Sequence, residues 1–291
     1  MKWTRVISGY LLLLIAVLLV LPSLPISASS SEVYRIPVKN EVEKGLYAFL
    51  QRAFEEAEEA GAEVVILDID TPGGFVDTAG DIGKLMDDTP LTTIAFINND
   101  ALSAGAFIAL HADEIYMVPS GRIGAAAVID GAGNAAEDKA VSAWSTAMIT
   151  AAESSNRNPE YALAMADKSV DLPEYRAPEG KLLTLSANEA LKVGYSEGTV
   201  ASFEELITKL DLSEAKVTSL NETFAEKVAR FVTNPIIVPI LLSIASLGLI
   251  VELYSPGFGV AGTMGLSALG LFFFGHLVAG LAGYESIILF M

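Results

Sequence analysis

Ser103 sits in the segment Asn98-Asn99-Asp100-Ala101-Leu102-Ser103-Ala104-Gly105-Ala106-Phe107-Ile108-Ala109-Leu110. The apolar run before it, Thr93-Ile94-Ala95-Phe96-Ile97, predicts a buried strand. A short polar turn is expected next, then a small-residue run that predicts the start of a helix. Ser103 therefore falls at a strand-to-helix corner between small neighbours. That setting suits a nucleophile: a substrate carbonyl can approach, and N–H groups at the start of a helix can stabilise an oxyanion. It equally suits a serine that merely caps a helix, and this stretch alone does not separate the two readings.

Three further features bear on the choice. Asp70-Thr71-Pro72-Gly73-Gly74 follows a strand-like run, Val64 to Asp70. Adjacent glycines there can turn backbone N–H groups inward, as an oxyanion hole requires, although Pro-Gly turns are common in other roles. Gly121-Arg122-Ile123-Gly124-Ala125-Ala126 is a glycine-spaced segment after another strand, Glu114 to Val118. Lys139 lies near the start of the helix expected after it.

Taken in order, Pro72-Gly73-Gly74, Ala101 to Ala106, Ile123 to Ala126 and Lys139 resemble the membrane-bound serine peptidases of the NfeD family. These are relatives of the signal peptide peptidases and of the Clp protease/crotonase fold. The segment Leu183 to Gly194 resembles a late segment shared by that group, and the likeness spans about residues 33–281. It implies a Ser–Lys dyad, with Ser103 as nucleophile and Lys139 as general base. It also implies that the backbone at Gly74 and Ala104 holds the oxyanion, with Gly73 and Gly124 lining the substrate site. The segment Ala127 to Gly133 departs from the family pattern, in which a proline and a longer loop are usual.

The residues argue in the same direction. A serine hydroxyl needs a base within hydrogen-bond reach. The chain has two histidines, His111 and His276. His111 follows Ser103 on the same helix by roughly 12 Å at 1.5 Å per residue, out of reach. His276 lies in an apolar run, so a Ser-His-Asp triad is not on offer and a lysine is the remaining candidate. Such a lysine must be neutral to act, which burial and a helix N-terminus favour. Ala140, Val141 and Ala143 are apolar neighbours that fit burial of Lys139, whereas the adjacent Glu137 and Asp138 would oppose loss of its proton. Most lysines on such helices are simply solvated.

The elements that must position these groups follow from periodicity. Val33 to Val38 predicts a strand, residues 41–60 a helix with Val42, Leu46, Leu50 and Phe54 inward, and Thr71 to Gly74 a loop. Residues 76–88 and 137–154 predict helices, Leu182 to Leu185 a strand, and Ala187 to Leu191 a helical turn closed by Gly194. This β-α alternation with short connections predicts a mostly parallel sheet wrapped by helices. The expected fold class is α/β, a Clp protease/crotonase-like domain followed by transmembrane helices.

Residues 1–30 read as a signal peptide or N-terminal anchor: Lys2 and Arg5, the apolar run Leu11 to Val20, then Ser27-Ala28-Ser29-Ser30 with a cleavage point near Ala28 or Ser30. Residues 31–230 read as the peptidase domain, placed outside the cytoplasm by the basic start. Residues 236–254 and 260–281 read as membrane helices, the second dotted with glycines suited to close packing. Residues 284–291 read as the start of a third, or as the point where a longer protein is cut.

Composition removes several classes. There is no cysteine among the 291 residues, which excludes disulfides and thiolate chemistry. Of the 36 acidic residues 34 fall within 31–230, against 16 of the 18 basic ones, leaving no basic patch for nucleic acid. No cofactor is expected.

The expected function is a membrane-anchored serine endopeptidase acting on apolar segments. The resemblance implies stomatin-like membrane proteins as substrates or partners, and a homo-oligomer. Two alternatives stand beside it. One is a membrane scaffold for a stomatin-like partner with a weak or silent site. The other is a crotonase-type acyl-CoA enzyme, opposed by export and by the missing basic patch.

Overall fold

A computed structural model describes residues 32–130, 133–255 and 257–281. The expected N-terminal segment 1–30 and the expected third helix from residue 284 lie outside the described residues.

Three long parallel strands form the centre: β1 (Glu32–Val42), β2 (Val64–Gly74) and β3 (Thr92–Leu102). Between them run α1 (Lys44–Glu59) and α2 (Val76–Asp88). β3 serves two partners. Its first half, Ile94 to Ile97, pairs with β4 (Glu114–Met117), and its last residues, Asp100 to Leu102, pair with β5 (Arg122–Gly124). The short helix α3 (Ala104–Leu110) follows β3. Beyond β5 come α4 (Asp138–Ser154), α5 (Pro159–Ala166), β6 (Thr184–Ser186) and α6 (Ala187–Lys192). Then follow β7 (Gly198–Thr199), α7 (Phe203–Lys209) and β8 (Lys216–Ser219). The sheet runs β6-β5-β3-β2-β1-β8, with β4 beside β3 and β7 beside β4. Every pairing is parallel except β5 with β6, so the mostly parallel α/β sheet expected from the sequence is what forms.

Alternation along β2 places Val65, Leu67 and Ile69 in the main core and Ile66 in a smaller cluster with Val33, Ile94, Phe96, Tyr116 and Leu206. Both faces are therefore covered, as a parallel sheet requires. On α1, Leu46, Phe49, Leu50, Ala53, Phe54 and Ala57 are buried at helical spacing.

Three elements differ from expectation, each through pairing between distant segments. β1 runs on to Val42, and the helix expected from residue 41 begins at Lys44. Glu41 and Val42 are held instead by Gly73 and Gly74 of β2, and Glu43 caps α1 by accepting from the Gly45 and Leu46 N–H groups at 2.6 and 2.9 Å. The expected loop Thr71–Gly74 is for the same reason the end of β2, carried past a register shift. The polar turn expected after Ile97 is strand as well, because Asp100 and Leu102 pair with Arg122 and Gly124.

After β8 the chain forms α8 (Phe224–Val232), α9 (Ile237–Leu253) and α10 (Val260–Val278). α10 is long and apolar enough to cross a membrane; α9 qualifies only when joined to α8, from which it is bent by 79°. Close packing of α9 on α10 uses Gly248 and Gly265, where a side chain on Gly248 would stand 2.9 Å from the Gly265 Cα.

Candidate active site

Ser103 joins β3 to α3 with φ +53° and ψ −120°, a backbone region that non-glycine residues occupy only under constraint. The constraint is visible. Its N–H donates to the Gly124 carbonyl at 2.9 Å, and its own carbonyl accepts from the Ala106 and Phe107 N–H groups at 3.0 and 3.3 Å. The side chain makes no capping hydrogen bond. It also has no hydrogen-bond partner among the described residues and is half-buried. An ordinary N-cap serine would have extended backbone and spend its hydroxyl on the first turn. Ser103 does neither.

Gly73 lies against it. With φ +108°, it has no room for a side chain, since a Cβ there would stand 2.9 Å from the Ser103 Oγ and 3.0 Å from the Leu102 carbonyl. The Gly73 N–H donates to the Thr71 hydroxyl at 3.0 Å, and that hydroxyl donates to the Asn40 carbonyl at 2.5 Å. Phe75 donates its N–H to the Val42 carbonyl of β1 at 2.8 Å. Gly74 is packed on the same strand: a side chain on it would stand 2.5 Å from the Val42 nitrogen. Ala104 is the first residue of α3, so its N–H has no acceptor within the helix. α3 packs closely on β2: a side chain on Gly105 would meet the Thr71 methyl at 2.5 Å.

Gly124 closes the other flank. Its carbonyl holds the Ser103 N–H, its φ is +135°, and a side chain on it would stand 3.0 Å from the Thr184 Cα on β6. The next two residues are anchored through Ala125 N–H to the Leu183 carbonyl at 2.9 Å and Ala126 N–H to the Met165 carbonyl at 2.7 Å. Beside the β5–β6 pair a cavity of about 290 Å³ is lined by Arg122, Tyr175, Arg176, Leu182, Thr184 and Ser186. Its two arginines are already paired, with Asp100 and Glu189 respectively.

Lys139 is in the first turn of α4, exposed, and makes no hydrogen bond to Ser103. The burial expected from its apolar neighbours is not observed: Ala140 and Ala143 are exposed too. The helical period explains this. α4 buries Trp144, Ser145, Met148, Ala151 and Ala152, and Lys139 precedes Trp144 by five residues, about 140° around the helix. Thus the structure brings Ser103, Gly73 and Gly124 together, with Gly74 and Ala104 next to them in the chain, and leaves Lys139 exposed and without a hydrogen bond to Ser103.

Trp144, which the sequence reading passed over, links the parts. Its indole N–H donates to the Ala126 carbonyl at 2.6 Å, and its ring lies 4.8 Å from that of Phe107 on α3. The signal was present in the sequence as a tryptophan at the inward period of α4. His111 caps the end of α3 and is paired with Asp87 at 2.8 Å, turned to α2 and away from Ser103. Among the described residues no group of three or more His, Asp or Glu side chains is placed to hold a metal ion.

Comparison with known proteins bears on this arrangement. Residues 32–220 match the NfeD1b N-terminal domain and residues 236–291 the NfeD integral membrane domain. The chain belongs to the NfeD family. Among NfeD relatives, membrane protein NfeD1b of Bacillus subtilis (strain 168) is 54% identical over 264 residues, covering 91% of this chain and 60% of the relative. The membrane-bound protease PH1510 of Pyrococcus horikoshii is 27% identical over 286 residues, covering 93% and 65%. The chain thus spans about 60–65% of the length of these relatives. Among solved structures, a lysine-to-alanine mutant of the 1510-N membrane-bound stomatin-specific protease, in complex with a substrate peptide, superposes with TM-score 0.62 at 25% identity. It covers 71% of this chain and 99% of that one. The Pyrococcus horikoshii 1510-N protease itself, specific for a stomatin homolog, gives 0.56 at 24%, covering 70% and 99%. The expected α/β domain followed by a helical membrane region is therefore the fold of this NfeD chain, the α/β domain resembling that of the 1510-N protease. PH1510 is named as a membrane-bound protease, and the 54% identical relative only as a membrane protein.

Proposed function

We propose that this chain is a membrane-anchored serine endopeptidase that works through Ser103 and Lys139 on apolar segments of membrane-associated, stomatin-like proteins. The observation that carries the reading is the Ser103 corner. A strained backbone, pinned at both ends, presents a hydroxyl that caps nothing, against a glycine with no room for a side chain.

In the reaction, neutral Lys139 Nζ takes the Ser103 proton as Oγ attacks the peptide carbonyl carbon. The resulting oxyanion accepts hydrogen bonds from the Gly74 and Ala104 N–H groups. Lys139 then returns the proton to the departing amine, and water, deprotonated by the same lysine, releases the acyl group from Ser103. Gly73 and Gly124 keep the approach open. Lys139 stands exposed at the start of α4, so the reading includes an inward movement of that first turn when substrate binds. Catalytic hydrogen bonds commonly tighten only in the substrate complex. The peptidase domain lies outside the cytoplasm, following the basic start of the chain, and assembles as a homo-oligomer.

The test is hydrolysis of stomatin-like apolar peptides by the full chain in detergent, followed against pH, for wild type, Ser103→Ala and Lys139→Ala. The expected result is a wild-type rate that rises from neutral to alkaline pH and falls by at least about 10³-fold in each variant. Cleavage that survives Ser103→Ala refutes the mechanism.

A scaffold for a stomatin-like partner is the second reading, favoured by the exposed position of Lys139. On that reading Ser103→Ala leaves both partner binding and phenotype intact.

A further inference from the structure

α8 presents two opposed faces. Inward, Glu226 accepts from Arg52 at 2.7 and 3.0 Å, Ala229 and Val232 are buried, and Arg230 is held by Glu222, by Glu43 at 2.7 Å and by the Glu41 carbonyl at 2.9 Å. Outward, Phe224 is 84% and Phe231 63% exposed. Seven residues apart, they lie on one stripe two turns long, with exposed Lys227 between them. Two exposed phenylalanines on one stripe are costly in water.

What covers them follows from what surrounds the helix. α8 ends at Val232, and the family's integral membrane domain begins at residue 236. The axes of α8 and α9 differ by 79°. If α9 and α10 cross the bilayer, a helix at that angle lies nearly in the plane of the membrane. Its depth is set by packing at its end: Val232 and Thr233 rest on Gly275, near the end of α10 that shares a membrane side with the start of α9. A continuous bent span is disfavoured by Glu226, Lys227 and Arg230 within one turn and a half.

We propose that α8 is an interfacial helix whose partner is the lipid bilayer itself. Phe224 and Phe231 enter the boundary between headgroups and acyl chains, and the Lys227 stem lies along it with its ammonium at the phosphates. The opposite face, through Arg52–Glu226 and Arg230–Glu43, fastens the α/β domain to the membrane surface. Arg230 binds the Glu41 carbonyl, and Glu41 pairs with Gly73. The membrane-bound helix is thus one step from the strand end that lies against Ser103.

The chain has no cysteine, so single-cysteine spin labelling of the full chain in vesicles of phosphatidylcholine and phosphatidylglycerol tests this directly. Labels go on Phe224→Cys and Phe231→Cys, with exposed Glu55→Cys on α1 as the water reference and Leu247→Cys on α9 as the bilayer reference. Phe224 and Phe231 are exposed on the protein, so the fold tolerates their replacement. The expected result is collision with oxygen severalfold favoured over a water-soluble nickel chelate relative to Glu55→Cys, at a depth shallower than Leu247→Cys. Values matching Glu55→Cys place the face in water and overturn the proposal. Depth equal to Leu247→Cys makes α8 part of a broken span and does the same. Shielding from both probes means that a second copy or another protein covers the face, which also overturns it.

Discussion

Gly73 and Ser103 are in contact across the ends of β2 and β3, with the Oγ of one 2.9 Å from where a side chain on the other would begin. The two residues are thirty positions apart in sequence: Gly73 lies in β2 and Ser103 directly follows β3, and the two strands pair at Ile69 with Ile97 and, after a register shift, at Thr71 with Ala101. The serine corner and the glycine turn are therefore one unit, held by the sheet.

Gly73→Ala tests that unit. The added methyl collides with Ser103, and φ +108° disfavours any side chain. A displacement of about 1 Å at a reacting centre lowers kcat/KM by about 10²-fold, and the backbone strain costs about 1–3 kcal/mol. Peptide hydrolysis and thermal unfolding of the full chain in detergent read both. Gly80→Ala in α2, where nothing stands near the new methyl, is the control, expected to keep activity and gain about 0.5–1 kcal/mol.

Replacing the serine in two ways separates strain from chemistry. Ser103→Ala and Ser103→Gly both remove the hydroxyl and abolish hydrolysis on the proposed mechanism. Only glycine relaxes the φ of +53°. Denaturant unfolding should show Ser103→Gly more stable than Ser103→Ala by about 1 kcal/mol, despite the extra freedom of glycine in the unfolded chain. Equal stability would mean that the corner carries no strain.

Trp144 ties α4 to both flanks of the site. Trp144→Phe keeps the ring against Phe107 and leaves the Ala126 carbonyl without its donor, a loss of about 1–3 kcal/mol. Trp144→Ala also opens a cavity and is expected to cost about 3–5 kcal/mol. If α4 delivers Lys139, Trp144→Phe should also lower kcat more than it changes KM.

Glu189 gives a pH signature. Hydrogen bonds from Arg176, then from Ser186, hold its carboxyl at about 2, below its ordinary value of 4.5. A carboxylate depressed in the folded state stabilises it above pH 4.5, and that contribution fades as pH falls from 4.5 toward 2. Glu189→Gln should be less stable than wild type at neutral pH, by about 0.5–1 kcal/mol for a largely surface pair and half of a capping box. The difference should vanish near pH 2. Acid unfolding curves of the two proteins check the convergence.

Much of this protein was legible in its residue order because the signals were local. β-Branched runs marked the strands around Leu67 and Ala95, helical spacing marked α1, α2 and α4, and long apolar stretches marked the membrane region. The small residues around Ser103 and the paired glycines at 73 and 74 are legible in the residue order as candidates for one site.

What was not legible depended on partners far along the chain. Asn98 to Leu102 looks like a turn, but β5 pairs with its end and makes it strand; Glu41 and Val42 look helical, but β2 claims them. Arg157, outside every helix and strand, is buried and donates to the carbonyls of Ala112 and Tyr195. Lys139 looks buried by its neighbours, yet the rotation of α4, set by Trp144 and Met148 entering the core, turns it outward. Residue order determined which segments are apolar, how they repeat and where the chain can bend, since these are properties of neighbours. Tertiary structure decided the Ser103 backbone angle, the contact with Gly73 and the direction of each side chain, since those follow from hydrogen bonds and packing between residues tens of positions apart.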